Sequence, residues 1–269
     1  MHLFADWSDD AAGREKPRVL IVDHGLRQGS AKDAALTAQW ARQAGFAAQV
    51  LRWTGRKPAS GIEERARAAR YRLMGDWCAA HGVRALFLAH TEDDQAETFL
   101  LRLGRGSGVD GLSAMRPRGA FPLEGYAKIE VLRPLLSFRR SELRMFLEQR
   151  GYRWLEDPMN EDPRFARTRI REMLPLLEKA GVTVTRIAQG AAHLARAREA
   201  LEAETTAFLS THVRATEAGN AYLDAAALTG LPREIGLRAL GSLLMRVSGA
   251  GYRPRFERLE RLYGARDSR

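Results

Sequence analysis

A single cysteine, Cys78, stands among 269 residues. One thiol excludes an internal disulfide and any paired-cysteine metal or redox site. It falls in a helical pattern over Tyr71–Ala80 and reads as a reduced core thiol, which fits a cytoplasmic home best. Long apolar runs are missing too: none reaches the roughly 18 residues that a membrane span requires. No secretory signal is legible, because Met1–Asp10 carries three aspartates and no basic stretch. Lysine is scarce, with five among the 43 basic residues and arginine supplying the rest.

What is present describes an ordinary folded chain. Apolar residues make up 45% and charged residues 28%, so neither long disorder nor low complexity is expected. The formal net charge is +10, and a basic surplus attracts phosphate backbones. The same Arg- and Ala-rich bias also suits a GC-rich genome, so charge alone leaves nucleic-acid binding open. Residues 166–269 hold 17 basic and 11 acidic residues and are the more basic part for their length, though no run is dense.

Periodicity predicts alternation. Arg18–Asp23, Ala47–Trp53 and Ala85–His90 read as strands, with Lys128–Leu136 as a further strand. Between them Ala31–Ala44, capped by Ser30, then Gly61–His81 and Glu92–Leu103 read as helices. A helix over Phe138–Gln149, capped by Ser137, follows. Such a βαβαβα order implies an α/β fold, a Rossmann-like parallel sheet with helices on both faces. After about Asp162 strand signals fade. Thr168–Lys179, Thr185–His212, Ala225–Val247 and Pro254–Tyr263 read as helices, which gives a sheet domain over 1–165 and an α-helical domain over 166–269. Met1–Trp7 has helical spacing and looks like the end of a helix whose preceding strand is missing.

Ligands of open parallel sheets bind beyond the carboxyl ends of the strands. Two polar clusters are expected there: Asp23 and His24 after the first strand, and His90 with the acids of HTEDDQAET after the third. Asp94 and Glu97 lie three apart and share a helical face. Such a pair suits a cationic amine, or a Mg²⁺ carried by a nucleotide. The plainer reading is a set of acids favoured by a helix N-terminus, and it suffices for Glu92 and Asp93. Arg105–Gly108 (RGSG) reads either as an anion nest with an arginine fork or as a helix end followed by a plain loop. Arg65, Arg67, Arg70 and Arg72, and later Arg164, Arg167, Arg169 and Arg171, read either as solvated faces or as contacts to RNA phosphates.

In order, VDHGLRQGS, GIEERARAARY, LAHTEDDQAETFLLRLGRGSGVDGL, IEVLRPLL and WLEDPMNEDPRFARTRIREMLPLL resemble the tRNA(Ile)-lysidine synthetase family of PP-loop ATP pyrophosphatases. The resemblance covers roughly residues 18 to 180. It implies ATP-dependent ligation of lysine to C2 of the wobble cytidine, by way of an adenylated tRNA. Free L-lysine, a tRNA(Ile) with a CAU anticodon, ATP and Mg²⁺ would be the partners, with a homodimer also open and no resident metal site or membrane expected. Asp94 and Glu97 would bind the lysine, and Arg105 would stabilise charge during transfer. Asp23, His24 and His90 would border the ATP pocket. Arg67 and Arg70 would contact tRNA, with Arg167 and Asp157 weaker candidates for tRNA or domain-junction roles. The family's opening strand and SGGxDS loop are not in the sequence, and a further small C-terminal domain is also missing, so impaired activity is expected. The alternatives are a non-catalytic tRNA-binding remnant of the fold and another PP-loop synthetase. Thiolases of this fold typically use paired cysteines, which Cys78 alone does not supply.

Overall fold

β-Branched and apolar residues dominate the first strand-like run, and in the computed structural model they form β1, Val19–Asp23. The structure describes residues 1–9, 17–58, 60–215, 220–224, 226–249, 254 and 256–265. Of the residues counted in the expected elements, Ala225 and Arg255 lie outside these, as does Asp10 of the opening segment. The chain folds as two compact units. One is Met1–Glu92 with Arg116–Glu172, and the other is Asp93–Met115 with Met173–Arg269. The second unit therefore takes an internal segment, 93–115, along with the C-terminal helices.

In the first unit β1 pairs in parallel with β2, Ala48–Arg52, from Val19 opposite Ala48 to Asp23 opposite Arg52. β3, Ala85–Phe87, pairs in parallel with β5, Glu130–Leu132, and Leu88 N–H extends that pairing to the Leu132 carbonyl at 2.8 Å. An unexpected third strand, β4 (Arg118–Ala120), runs antiparallel on the other side of β5. The parallel β1–β2 pair needs a long crossover, which α2 (Ser30–Gln43) supplies, and α3 (Ile62–Ala80) leads from β2 to β3. Tyr71, Met74 and Cys78 of α3 form the core with Leu86, Phe121, Ile129 and Val131. Leu20, Val22 and Leu51 pack against the same cluster. Cys78 is 1% exposed and unbridged, and burial pushes its thiol pKa up, so the core-thiol reading holds. The opening helix α1, His2–Asp9, packs Phe4 edge-on against Phe87 at 5.0 Å, and Asp6 pairs with Arg150 at 2.6 Å.

Two caps differ from expectation. Ser30 is the first residue of α2; the cap is Gly29, whose φ of 91° suits glycine and which offers no side chain to the helix. Likewise α6, Arg140–Gln149, begins after Arg139, not Ser137, and the Arg139 N–H donates to Glu142 Oε2 at 2.6 Å.

The second unit holds α4 (Glu92–Leu103) from its second residue on and a short helix α5 (Val109–Leu112). From α7 (Ala166–Lys179) it takes the residues after Glu172, and it includes α8 (Val184–His212), α9 (Arg233–Ser248) and α10 (Phe256–Gly264). It is not wholly helical. β6 (Val213–Ala215) and β7 (Ala221–Leu223) make an antiparallel pair, with Val213 opposite Leu223, where no strand was expected. The core gathers Phe208, Leu209, Leu228, Leu237, Ala239, Leu259 and Tyr263. The Tyr263 ring sits so close to Gly236 that a Cβ there would overlap it. Gly236→Ala gains about 1 kcal/mol of helix propensity, but overpacking costs roughly 1–3 kcal/mol. A lowered urea midpoint with an unchanged slope is the expected result.

Candidate functional site

β1 and β2 end side by side, and the chain leaves both on one edge. The Trp53 N–H donates to the Asp23 carbonyl at 2.9 Å. Asp23 is 8% exposed, and its Oδ1 accepts the Gly25 N–H at 3.0 Å across a tight turn in which Gly25 has φ 59°. That turn fixes His24, whose ring meets the Trp53 ring edge-on at 6.2 Å. Lys57 lies over the Trp53 ring, 4.2 Å from its centroid, and donates to the Trp53 carbonyl. Trp53, Arg56, Lys57, Pro58 and Arg65 line an open pocket of about 370 Å³ beside them.

Burial holds His24 below its ordinary pKa, and the Arg70 guanidinium adds to this; Asp23 opposes, and Lys57 lowers it further. These effects favour the neutral ring, and its Nδ1 is buried with no partner among the described residues. A histidine depressed on folding contributes stability that is present above its unfolded pKa and is lost as pH falls through the folded value. Arg70→Met removes a nearby cation. An NMR titration is expected to move the His24 midpoint upward; an unmoved midpoint would detach Arg70 from this edge.

Arg67 and Arg70 flank Tyr71, at 5.1 and 5.8 Å from its ring, and the Arg67 Nη2 reaches the Tyr71 hydroxyl at 3.5 Å. Arg167 pairs with Glu63, one turn before Arg67, at 3.5 Å. Asp157 is tied locally: it accepts from Arg27 Nε at 3.0 Å and from the Met159 N–H at 3.1 Å, capping the short 3-10 turn Pro158–Glu161. Arg164 likewise forks onto Asp162, at 3.0 and 2.6 Å. His90 follows β3 by three residues and is half-buried. Two residues further on, the Glu92 N–H donates to the Phe138 carbonyl at 2.9 Å, and Glu92 faces Arg139 at 3.9 Å.

Asp94, Glu97 and Arg105 belong to the second unit. Asp94 is half-buried, and Glu97, one turn on, is 0% exposed. Gln95 between them exchanges two hydrogen bonds with the Met115 backbone, at 3.0 and 2.7 Å, which fixes the rotation of α4. At the far end the Gly106 N–H bonds the Leu103 carbonyl at 2.9 Å and the Ser107 N–H bonds the Arg102 carbonyl at 3.1 Å, with Gly106 at φ 71°. This is a Schellman cap. Those amides are committed to the helix end, so they do not form the anion nest that RGSG suggested; Arg105 itself is exposed.

Comparison with known proteins fits this arrangement. A PP-loop domain model matches residues 1–177. The tRNA(Ile)-lysidine synthase of Methylobacterium nodulans is 41% identical over 90% of this chain and 70% of its own length. This chain belongs to the tRNA(Ile)-lysidine synthase family. The synthase of Ruegeria pomeroyi is 42% identical over 90% of this chain, which spans 57% of that relative's length. Among solved structures, a U34-tRNA thiolase from Methanococcus maripaludis superposes with a TM-score of 0.56 over 72% of this chain and 68% of its own. At 14% identity it shares the fold.

Within this synthase family member, the structure places Asp23 and His24 at one strand edge, with Arg67, Arg70 and Arg167 on and beside α3. Trp53 and Lys57 join that edge and were not singled out by sequence reading. Their only signal was position: they follow a strand that had to end on the ligand edge.

Proposed function

We propose that this protein ligates L-lysine to C2 of the wobble cytidine of a tRNA(Ile) with a CAU anticodon, using ATP. In the first step the C2 oxygen of cytidine attacks the α-phosphorus of ATP, and diphosphate leaves. In the second the ε-amine of lysine attacks C2, AMP departs with that oxygen, and the amine loses a proton. ATP suits the β1–β2 edge chemically. The His24 ring, held toward its neutral form, meets Trp53 at this edge, and Lys57 supplies a cation beside it. Asp23 and His90 border the same nucleotide. Mg²⁺ would arrive on the phosphates of ATP.

The observation that carries this reading is the burial of Glu97. A carboxylate at a helix start that served only the helix dipole has no need to leave water. With Asp94 one turn away, it makes an acidic pair suited to an ammonium group. Arg105 is assigned to charge that develops on phosphate or on the cytidine oxygen. Arg67, Arg70 and Arg167, with the 166–269 region, are assigned to tRNA. No helix among the described residues is long and apolar enough to cross a membrane, and a cytoplasmic tRNA-modifying enzyme, with a homodimer as one assembly, fits the reading.

Release of AMP from ATP with lysine present tests the two steps together, because diphosphate leaves in the first and AMP in the second. The expected result is AMP formation that requires a tRNA(Ile) transcript with CAU and is lost when the wobble cytidine is replaced by uridine. AMP release indifferent to that base would overturn the assignment.

A further inference from the structure

A cleft of about 220 Å³ lies between α8 and α9, within the second unit. Its α9 wall carries Arg238, Ser242 and Arg246, each four residues from the next and so on one helical face. Its α8 wall carries Glu202, Thr205 and Thr206.

Arg238 dominates this cleft because its side chain is only 4% exposed. Its Nε donates to Glu234 at 2.7 Å and its Nη2 to Asp110 at 2.7 Å. Its Nη1 is buried and has no acceptor among the described residues. A guanidinium carries five donors and no acceptor, and a buried donor left unmatched is unfavourable. The facing wall does not answer it. The hydroxyls of Thr205 and Thr206 are turned to their own helix, donating to the Leu201 and Glu202 carbonyls at 2.6 and 2.8 Å. Glu202 is paired on its own helix with Arg198 at 3.5 Å. Along α9, Ser242 and Arg246 continue the lining that Arg238 begins.

We propose that this cleft binds a phosphate group through Arg238 Nη1, the Ser242 hydroxyl and Arg246. Phosphate fits better than a carboxylate because its tetrahedral oxygens accept from three directions, and arginine forks suit it. The site lies outside the residues assigned to lysine and ATP; its RNA arm rests on the assignment of the 166–269 region to tRNA, whereas phosphate binding stands whichever reaction they perform. The phosphate belongs either to an RNA backbone or to a free ion.

The test uses this chain with inorganic phosphate, against chloride at matched ionic strength, and the variant S242A/R246A, which leaves the Arg238 contacts to Asp110 and Glu234 intact. Wild type is expected to bind phosphate, with a raised unfolding midpoint, and the variant to bind it about tenfold more weakly or worse. A short single-stranded RNA that displaces phosphate from wild type identifies the backbone as the source. RNA that leaves phosphate in place identifies the free ion. Equal phosphate binding by variant and wild type, or no binding by wild type, would overturn the proposal.

Discussion

Glu97→Gln is expected to raise the lysine concentration needed for half-maximal incorporation by about ten- to a hundredfold. Stability should fall as well, because a fully buried carboxylate loses its charge, so urea unfolding checks that the variant is folded where lysine dependence is read. The substitution keeps the volume of a side chain that is 0% exposed, removes its charge and exchanges one acceptor oxygen for a donor amide. A hydrogen bond to a charged group contributes roughly 1.5–3 kcal/mol, and each 1.4 kcal/mol is a factor of about ten. Asp94→Ala should act in the same direction. Asp94 is half-buried, so truncation there leaves no large cavity, whereas Glu97→Ala would confound lost binding with lost packing. The KM for ATP should stay within about twofold in both variants, because ATP is assigned to other residues. Unchanged lysine dependence in both would remove the assignment of this pair.

The second large effect concerns Arg238. Its side chain is 4% exposed, while its partners Asp110 and Glu234 are 45% and 48% exposed. The three groups are therefore not equivalent. Removing the arginine leaves two carboxylates that water can reach. Removing both carboxylates strands a cation in the interior, which costs about 3–5 kcal/mol. D110A/E234A should accordingly lose more stability than R238M, for which about 1–2 kcal/mol is expected. Urea unfolding of the two variants decides this, and a reversed order would contradict the assignment of the buried charge. The effect reaches beyond stability, because Asp110 lies in the segment that carries Asp94, Glu97 and Arg105. The same segment is tied to α8 by the Ala114 N–H on the Ala191 carbonyl at 3.1 Å and by the Ser113 hydroxyl on the Leu194 carbonyl at 3.2 Å.

Much of the fold was legible because local pattern and tertiary use agree. The run ending in Asp23 is apolar and β-branched, the helices between strands carry the expected periodicity, and Cys78 falls on the buried face of α3. The caps were misread for a local reason. Ser30 and Ser137 are good capping residues, but glycine at positive φ and an arginine with its Glu142 partner took those roles. The β6–β7 pair was missed because its strands are three residues each and the first directly continues a 29-residue helix.

Legibility at the site followed the same division. Asp23, His24, Asp94 and Glu97 stand in dense polar clusters next to strand ends or helix starts, where sequence position alone suggests chemistry. Lys57 and Trp53 stand in an unremarkable loop. Arg238 looks like one arginine among many, and its partner Asp110 is 128 residues away. Contacts at that separation leave no trace in periodicity. The RGSG turn was ambiguous for a physical reason: glycine at positive φ serves an anion nest and a Schellman cap equally well, and only the carbonyl partners of its amides separate them.

The most direct measurement is the mass of the wobble nucleoside in a tRNA(Ile) transcript with CAU, after incubation with this protein, ATP and lysine. The proposed chemistry predicts a cytidine heavier by lysine less one water, absent when either ATP or lysine is withheld. An unmodified cytidine in the complete reaction, alongside ATP hydrolysed without transfer, would contradict it.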